Sequence, residues 1–305
     1  MSDQSANTPL PSSTGTARGE VFDLGYHRYT GRREGRGWVI RALAIYSLKR
    51  ALGIKKRWTA KIVPIVLYAF AFIPVIAIVG IRSFAGGAID IGYNTLYSAL
   101  SLTLLVFAAT AGPEMLCDDR RYGVLPLYFS RALTRTDYLA AKVGALALLM
   151  ASIALLPPFI LFLGNTFLDA SPIDYLTSHL GDLGRVLVLG ALLAVLYAAV
   201  SLVVAAFTDR KGIATAVNLG LVLISTGIIG AVFAALEGSW RRYLVLLSPS
   251  DIADGLIGWV FGFPSGPSTS LVAQAGISGW WYLLAVAVIA VTCGIVMHRR
   301  YLRDA

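Results

Sequence analysis

The sequence predicts an all-α polytopic membrane protein with six transmembrane helices, and three observations carry that reading. Hydrophobic residues make up 57% of the 305 and charged ones only 14%, at a mean hydropathy of +0.71. A water-soluble domain cannot hide that much apolar surface. Six stretches approach the roughly 20 residues that cross a hydrocarbon core as helix, and basic residues crowd onto one set of connections.

Residues 1–35 read as a disordered cytoplasmic tail. The first nineteen are polar, rich in Ser and Thr, and lack the apolar core of a cleavable leader. The first span is therefore expected to act as the insertion signal. Residues 36–61 are apolar but broken by Arg41, Lys49 and Arg50, and pass through Lys55-Lys56-Arg57-Trp58. That is too interrupted to span, so an interfacial amphipathic helix is expected, its basic side chains snorkelling to headgroups. A plain basic flank that orients the first span is the competing reading.

The six-span domain covers 62–298, with spans at 62–81, 92–111, 139–163, 186–207, 213–236 and 279–297. Pro64, Pro74, Pro157 and Pro158 fall inside them and can kink helices whose neighbours re-satisfy the freed carbonyls. Gly220, Gly227 and Gly230 recur on the fifth, where small residues allow close helix approach. No Asp, Glu, Lys, Arg or His falls in mid-span on these boundaries, which disfavours a proton- or ion-coupled pump.

Orientation follows from charge. Twenty-two Lys and Arg lie in 1–61, 112–142, the Asp209-Arg210-Lys211 turn and the end of the chain, including the tail 299–305. Only four lie on the other side, with seven acids. Both termini are expected in the cytoplasm. The net charge of +9 then reflects topology and attraction to membrane lipids. Nucleic-acid binding is the poor reading, since no stacking platform interleaves the basic residues.

The outer loop 237–278 is the longest and partly apolar. Within it Ser248-Pro249-Ser250-Asp251 combines an N-cap serine, a proline at the first helical position and an acid three residues on. A helix over 252–263 is expected there. It is too short to cross, so a re-entrant or interfacial helix fits. Trp280-Trp281-Tyr282 then anchor the last span at the outer interface.

The chemistry of catalysis is missing. No Walker A loop, GxSxG elbow or HExxH motif occurs. Cys117 and Cys293 sit near one face without metal-ligand spacing or a disulfide context. His27, His179 and His298 are too scattered to hold haem. Glu114, Asp118 and Asp119 could be imagined as a metal or acid–base cluster. A solvated loop salt-bridged to Arg120, Arg121 and Arg131 is favoured instead. No enzyme, metal or cofactor is expected in this chain.

Residues 113–138 are the most informative stretch. A bare connection between spans could be short and featureless, whereas this one mixes both charge signs with aromatic and leucine side chains, the chemistry of a docking surface. It reads Arg120-Arg121-Tyr122-Gly123-Val124-Leu125, then Leu127-Tyr128-Phe129-Ser130-Arg131-Ala132, then Arg135-Thr136-Asp137-Tyr138-Leu139-Ala140-Ala141-Lys142. In this the chain resembles the permease subunits of type-2 ABC transporters, mostly bacterial exporters. Their loop after the second span has acidic residues, Arg-x-x-Gly-x-Leu, Leu-Tyr-x-Ser-Arg-Pro, and Arg-x-Asp-Tyr-Leu-x-x-Lys. Ala132 departs from the usual proline. Six spans, a lead-in helix and an apolar outer loop extend the likeness over 36–305.

The resemblance implies a mechanism and a set of roles. Two cytoplasmic ATPase subunits would bring ATP and Mg, and a second permease, identical or homologous, would complete the path in a bacterial cell membrane. Glu114, Asp118, Asp119, Arg120, Arg121, Gly123, Leu127, Tyr128, Arg131, Arg135, Asp137 and Tyr138 would form the coupling loop. Tyr93, Tyr97, Ser98 and Thr103 on span two, with Asn218 and Thr226 on span five, are candidates for the translocation path of an amphipathic or hydrophobic substrate. Each could equally make an interhelical hydrogen bond. Two rivals remain, an ion-coupled secondary transporter and a non-transporting scaffold for a cytoplasmic enzyme.

Overall fold

The computed structural model describes residues 35–54, 58–85, 92–129, 133–169, 171–263 and 270–303. The tail 1–34, Arg131 and the 264–269 stretch of the outer loop lie outside the described residues. Helix is the only regular structure among them: α1 (Arg36–Ala51), α2 (Trp58–Ala85), α3 (Tyr93–Arg121), α4 (Leu125–Phe129), α5 (Arg135–Leu168), α6 (Pro172–Ser178), α7 (Leu180–Phe207), α8 (Lys211–Ala235), a 3-10 segment (Ser239–Leu247), α9 (Pro249–Phe261), α10 (Leu271–Ala275) and α11 (Gly279–Arg303). Six of them, α2, α3, α5, α7, α8 and α11, are long and apolar enough to cross a membrane. Helices are the natural solution there, because lipid offers nothing else to hydrogen-bond a backbone.

α7 is the hub. It packs along α5, α3 and α11 and also meets α8 and α9. Its neighbour α3 has 72% of its apolar window buried, against 17% for α2 and 22% for α8. The helices α2 and α8 thus stand at the periphery, α2 against α5 and α3, α8 chiefly against α3.

Two elements depart from the bounds that composition suggests. The second span was expected to stop at residue 111, where Gly112-Pro113-Glu114 breaks the apolar run, yet α3 continues ten residues further to Arg121. Its 29 residues reach about 44 Å, well past a hydrocarbon core of about 30 Å. Hydropathy marks where apolar side chains end; the backbone stays helical because the acids that follow are paired. The expected lead-in over 36–61 is really two pieces, α1 ending at Ala51 and α2 opening at Trp58. In α1, Leu43, Ser47 and Ala51 are buried at four-residue spacing, against α5 and α3. Trp38, Ile45 and Tyr46 remain exposed.

Glycine stops both α1 and α3 by the same device. Gly53 (φ 69) and Gly123 (φ 61) are left-handed. Gly53 N–H donates to Arg50 O and Ile54 N–H to Lys49 O. Gly123 N–H likewise donates to Arg120 O and Val124 N–H to Asp119 O. These paired bonds are Schellman motifs, which need a residue free to adopt positive φ. Gly123→Ala should therefore lower stability by about 1–2 kcal/mol, readable as a fall in unfolding midpoint. At the start of α5, Thr134 and Asp137 close a reciprocal capping box.

The Ser-Pro-Ser-Asp signature opens α9 as expected, with Ser248 Oγ accepting from Asp251 N–H, although the helix covers Pro249–Phe261. The 3-10 segment and α9 meet at a bend of 107°. α9 packs against α3, α7, α8 and α11, and Asp251, counted among the outer acids, is only 4% exposed. Tyr282, expected as an interfacial anchor, is buried beneath α9, while Trp280 and Trp281 are exposed. Gly220 and Gly227 meet no neighbouring helix, whereas a Cβ at Gly230 would lie 3.2 Å from Leu271 of α10; closer approaches between helices are at Gly112, Gly164, Gly190, Gly255 and Gly279. A glycine pattern on one helix does not reveal which face a neighbour covers.

Candidate functional site

Four helices are tied together where α1, α3, α5 and α8 meet. The last turns of α3 present carboxylates in two rows, Glu114 and Asp118 at i and i+4 on one side, Asp119 on the other. Lys211, at the start of α8, reaches Glu114 Oε2 at 2.9 Å and Asp118 Oδ2 at 2.6 Å. Arg50, in the last turn of α1, donates to Asp119 Oδ1 at 2.7 Å and also to Asp118. Lys142, two turns into α5, reaches Asp119 Oδ2 at 2.7 Å and donates to the Met115 carbonyl at 2.9 Å. Tyr138, one turn earlier, donates its hydroxyl to the same Asp119 oxygen at 2.8 Å.

Three cations thus face three carboxylates, and the network is largely dry. Asp119 is 1% exposed and Lys142 0%. Each charge here is tolerable only because it is multiply paired. The acids were expected in a solvated loop, but they stand on the last turns of α3, and among the described residues Arg50, Lys142 and Lys211 pair with them. Arg120 instead pairs with Asp209 at 3.2 Å and donates to the Ala206 carbonyl, linking α3 to the end of α7. Arg50 does not snorkel to solvent; desolvation opposes its charge, but Asp118 and Asp119 more than offset this and hold its pKa above the ordinary value.

Asp137 is likewise committed locally. It accepts from Arg36 Nε and Nη2, both at 2.8 Å, as well as from Thr134 N–H, so the openings of α1 and α5 are clamped. Arg36 is held above its usual pKa by that hydrogen bond and by the Asp137 charge. Tyr128, on α4, packs at a tilt against Tyr138, ring centroids 5.7 Å apart; burial pushes its phenol pKa up. Arg121 and Tyr122 remain exposed, Tyr122 at 69%.

A cleft of about 400 Å³ opens above the network, lined by Tyr46, Lys49, Arg50, Asp118, Asp119, Tyr122, Val124 and Tyr128. Its walls are α1 and the turn from α3 to α4. A second groove, of about 570 Å³, runs between α2 and α8 over Phe107, Thr110, Ala111 and Glu114 of α3. None of the six path candidates lines this groove. Tyr97 is buried with its hydroxyl donating to the Val186 carbonyl at 2.9 Å, and Tyr93 and Tyr97 stack on Phe261. Asn218 is buried, Ser98 is exposed and Thr103 half-buried. Thr226 bonds Ser248 and Ser250. On these two helices the groove takes Thr110 and Thr215 instead.

A family model described as a protein of unknown function (DUF2705) matches residues 87–304. The chain belongs to this family. No curated protein matches it. In this DUF2705 chain the matched region takes in Glu114, Asp118, Asp119, Lys142 and Lys211, whereas Arg50 precedes it. Sequence reasoning missed Arg50, Lys142 and Lys211 as partners of the acids. Lys142 closes the Arg-x-Asp-Tyr-Leu-x-x-Lys pattern, and its place three residues inside an apolar span was the available signal, since a lysine there demands a buried partner.

Proposed function

We propose that the chain is the permease subunit of an ATP-driven exporter of the type-2 ABC kind, worked by separate ATPase subunits that carry the nucleotide and magnesium. The observation that carries this reading is the cleft between α1 and the α3–α4 turn, seated on an ion network that grips α1, α3, α5 and α8. A partner element held in that cleft pulls on residues bonded to three of the six long helices. Binding there can bias span arrangement if the partner's states favour different ones. The resemblance of residues 120–142 to the family's coupling loop supports the same place.

In this reading both termini face the cytoplasm, as the skewed basic charge supports. Two ATPases and a second permease, identical or homologous, complete the assembly in a bacterial cell membrane, and the bent 3-10 segment with α9 is re-entrant. An amphipathic or hydrophobic substrate would follow the groove between α2 and α8, whose polar groups are few. ATP hydrolysis belongs to the partner, not to this chain.

Co-expression with the cognate ATPase tests this. Tyr122→Ala and Arg121→Glu alter exposed side chains outside the ion network. They should weaken ATPase capture roughly 30-fold, the effect of losing a hot-spot contact, while the unfolding midpoint stays put. Asp137 is unsuitable for this test because it caps α5. If no ATPase co-purifies with the native chain, or both variants retain it, the reading fails.

A further inference from the structure

A second polar cluster lies about 22 Å along α8 from Lys211, where Thr226 meets the start of α9. Thr226 Oγ1 is 2.9 Å from Ser248 Oγ, and Ser248 Oγ is 3.2 Å from Ser250 Oγ. Thr226 also donates to the Val222 carbonyl. The three hydroxyls therefore satisfy one another. Asp251 lies beside them, with the Ser248 hydroxyl near its carboxyl, yet its Oδ2 is buried without any hydrogen-bond partner, and the residue is 4% exposed.

The contrast with α5 is informative. Thr134-x-x-Asp137 and Ser248-x-x-Asp251 have the same capping pattern. Asp137 returns a bond to the Thr134 backbone and takes a second from Arg36. Asp251 does neither, and only the Ser248 half of its box is formed. Among the described residues no lysine, arginine or histidine pairs with it. The groups presented by the surrounding helices are neutral or acidic. On α9 there is half-buried Asp254. Tyr197 of α7 lies near Asp254, and Tyr93 and Tyr97 of α3 stack on Phe261. α8 offers Asn218 and Thr226, and α10 has no ionisable side chain. Arg241, in the 3-10 segment, is engaged by the Leu236 carbonyl, and Arg242 by Tyr243. From α11, Tyr282 packs on Gly255, one turn beyond Asp251, and its hydroxyl is a second buried orphan.

A carboxylate cannot rest there as a bare charge; a buried, unpaired one neutralises by taking a proton, and ionisable groups within the membrane are by default functional. We propose that Asp251 is a proton-binding site. Its carboxylate takes a proton from hydronium, forming an O–H bond and leaving water, and gives the proton back to water as hydronium when the pH rises. Protonation also converts an acceptor into a donor, which suits a pocket holding a free phenolic oxygen. The site does not depend on an ATPase partner.

Infrared difference spectra of the full chain in lipid nanodiscs, recorded between acidic and neutral pH, test this. A carboxylic C=O band should titrate, vanish in Asp251→Asn and persist in Asp254→Asn. Tyr282→Phe keeps the ring on Gly255 and removes the neighbouring hydroxyl. It should shift that band in frequency, and it provides the readout if Asp251→Asn does not fold. A band that survives Asp251→Asn, or that Tyr282→Phe leaves unmoved, overturns the proposal. So does a band that responds to sodium at constant pH, which would make the occupant a metal cation.

Discussion

Replacing Asp119 with leucine should be the most damaging single change to the ion network, costing about 3–5 kcal/mol, the penalty of leaving a buried charge without its partner. Lys142 is wholly buried and would lose its ion pair while keeping the Met115 carbonyl, and Tyr138 would lose its bond to the carboxylate. Lys142→Met should cost less, about 1–3 kcal/mol, because Asp119 would retain Arg50 and Tyr138. The double variant should be more stable than Asp119→Leu alone, since well-packed apolar residues can replace a buried ion pair at little cost. Unfolding midpoints of the purified chain in detergent decide the matter. Equal single losses that simply add in the double variant would mean that Asp119 and Lys142 are not coupled.

How much of this was legible in the sequence depends on the range of each signal. The six long helices and the opening of α9 are local matters of apolar length and capping pattern, and both were readable. The partners of the acids were not. Arg50, Lys142 and Lys211 stand 69, 23 and 97 residues from the acids they meet at Asp119, Asp119 and Glu114, and no local pattern joins them. Reading 113–138 as a loop followed from the fall in hydropathy at Glu114, although a helix can carry charge past the lipid when its side chains pair. The same limit hid the burial of Asp251. The capping pattern announces a helix too short to cross, but not which of its side chains are covered by packing against α3, α7 and α11.

Glycine substitutions separate the packed interior of this chain from the open face of α8. At Gly190 an added Cβ would lie 2.3 Å from Leu155 Cδ2 and 3.0 Å from the Ala154 carbonyl oxygen. The leucine tip can turn aside but the backbone oxygen cannot, so α5 and α7 would have to part. Gly190→Ala should lower stability by about 1–3 kcal/mol through overpacking. At Gly227 an added Cβ meets nothing within 4 Å, so Gly227→Ala should leave the isolated chain unchanged or raise its stability by about 0.4–1 kcal/mol. Gly220 and Gly227 lie two turns apart on α8, the arrangement that lets membrane helices approach closely. If a second copy of this chain packs there, Gly227→Leu should reduce the dimer fraction in lipid while sparing the monomer's unfolding midpoint. A dimer indifferent to Gly227→Leu would show that this face of α8 meets lipid instead.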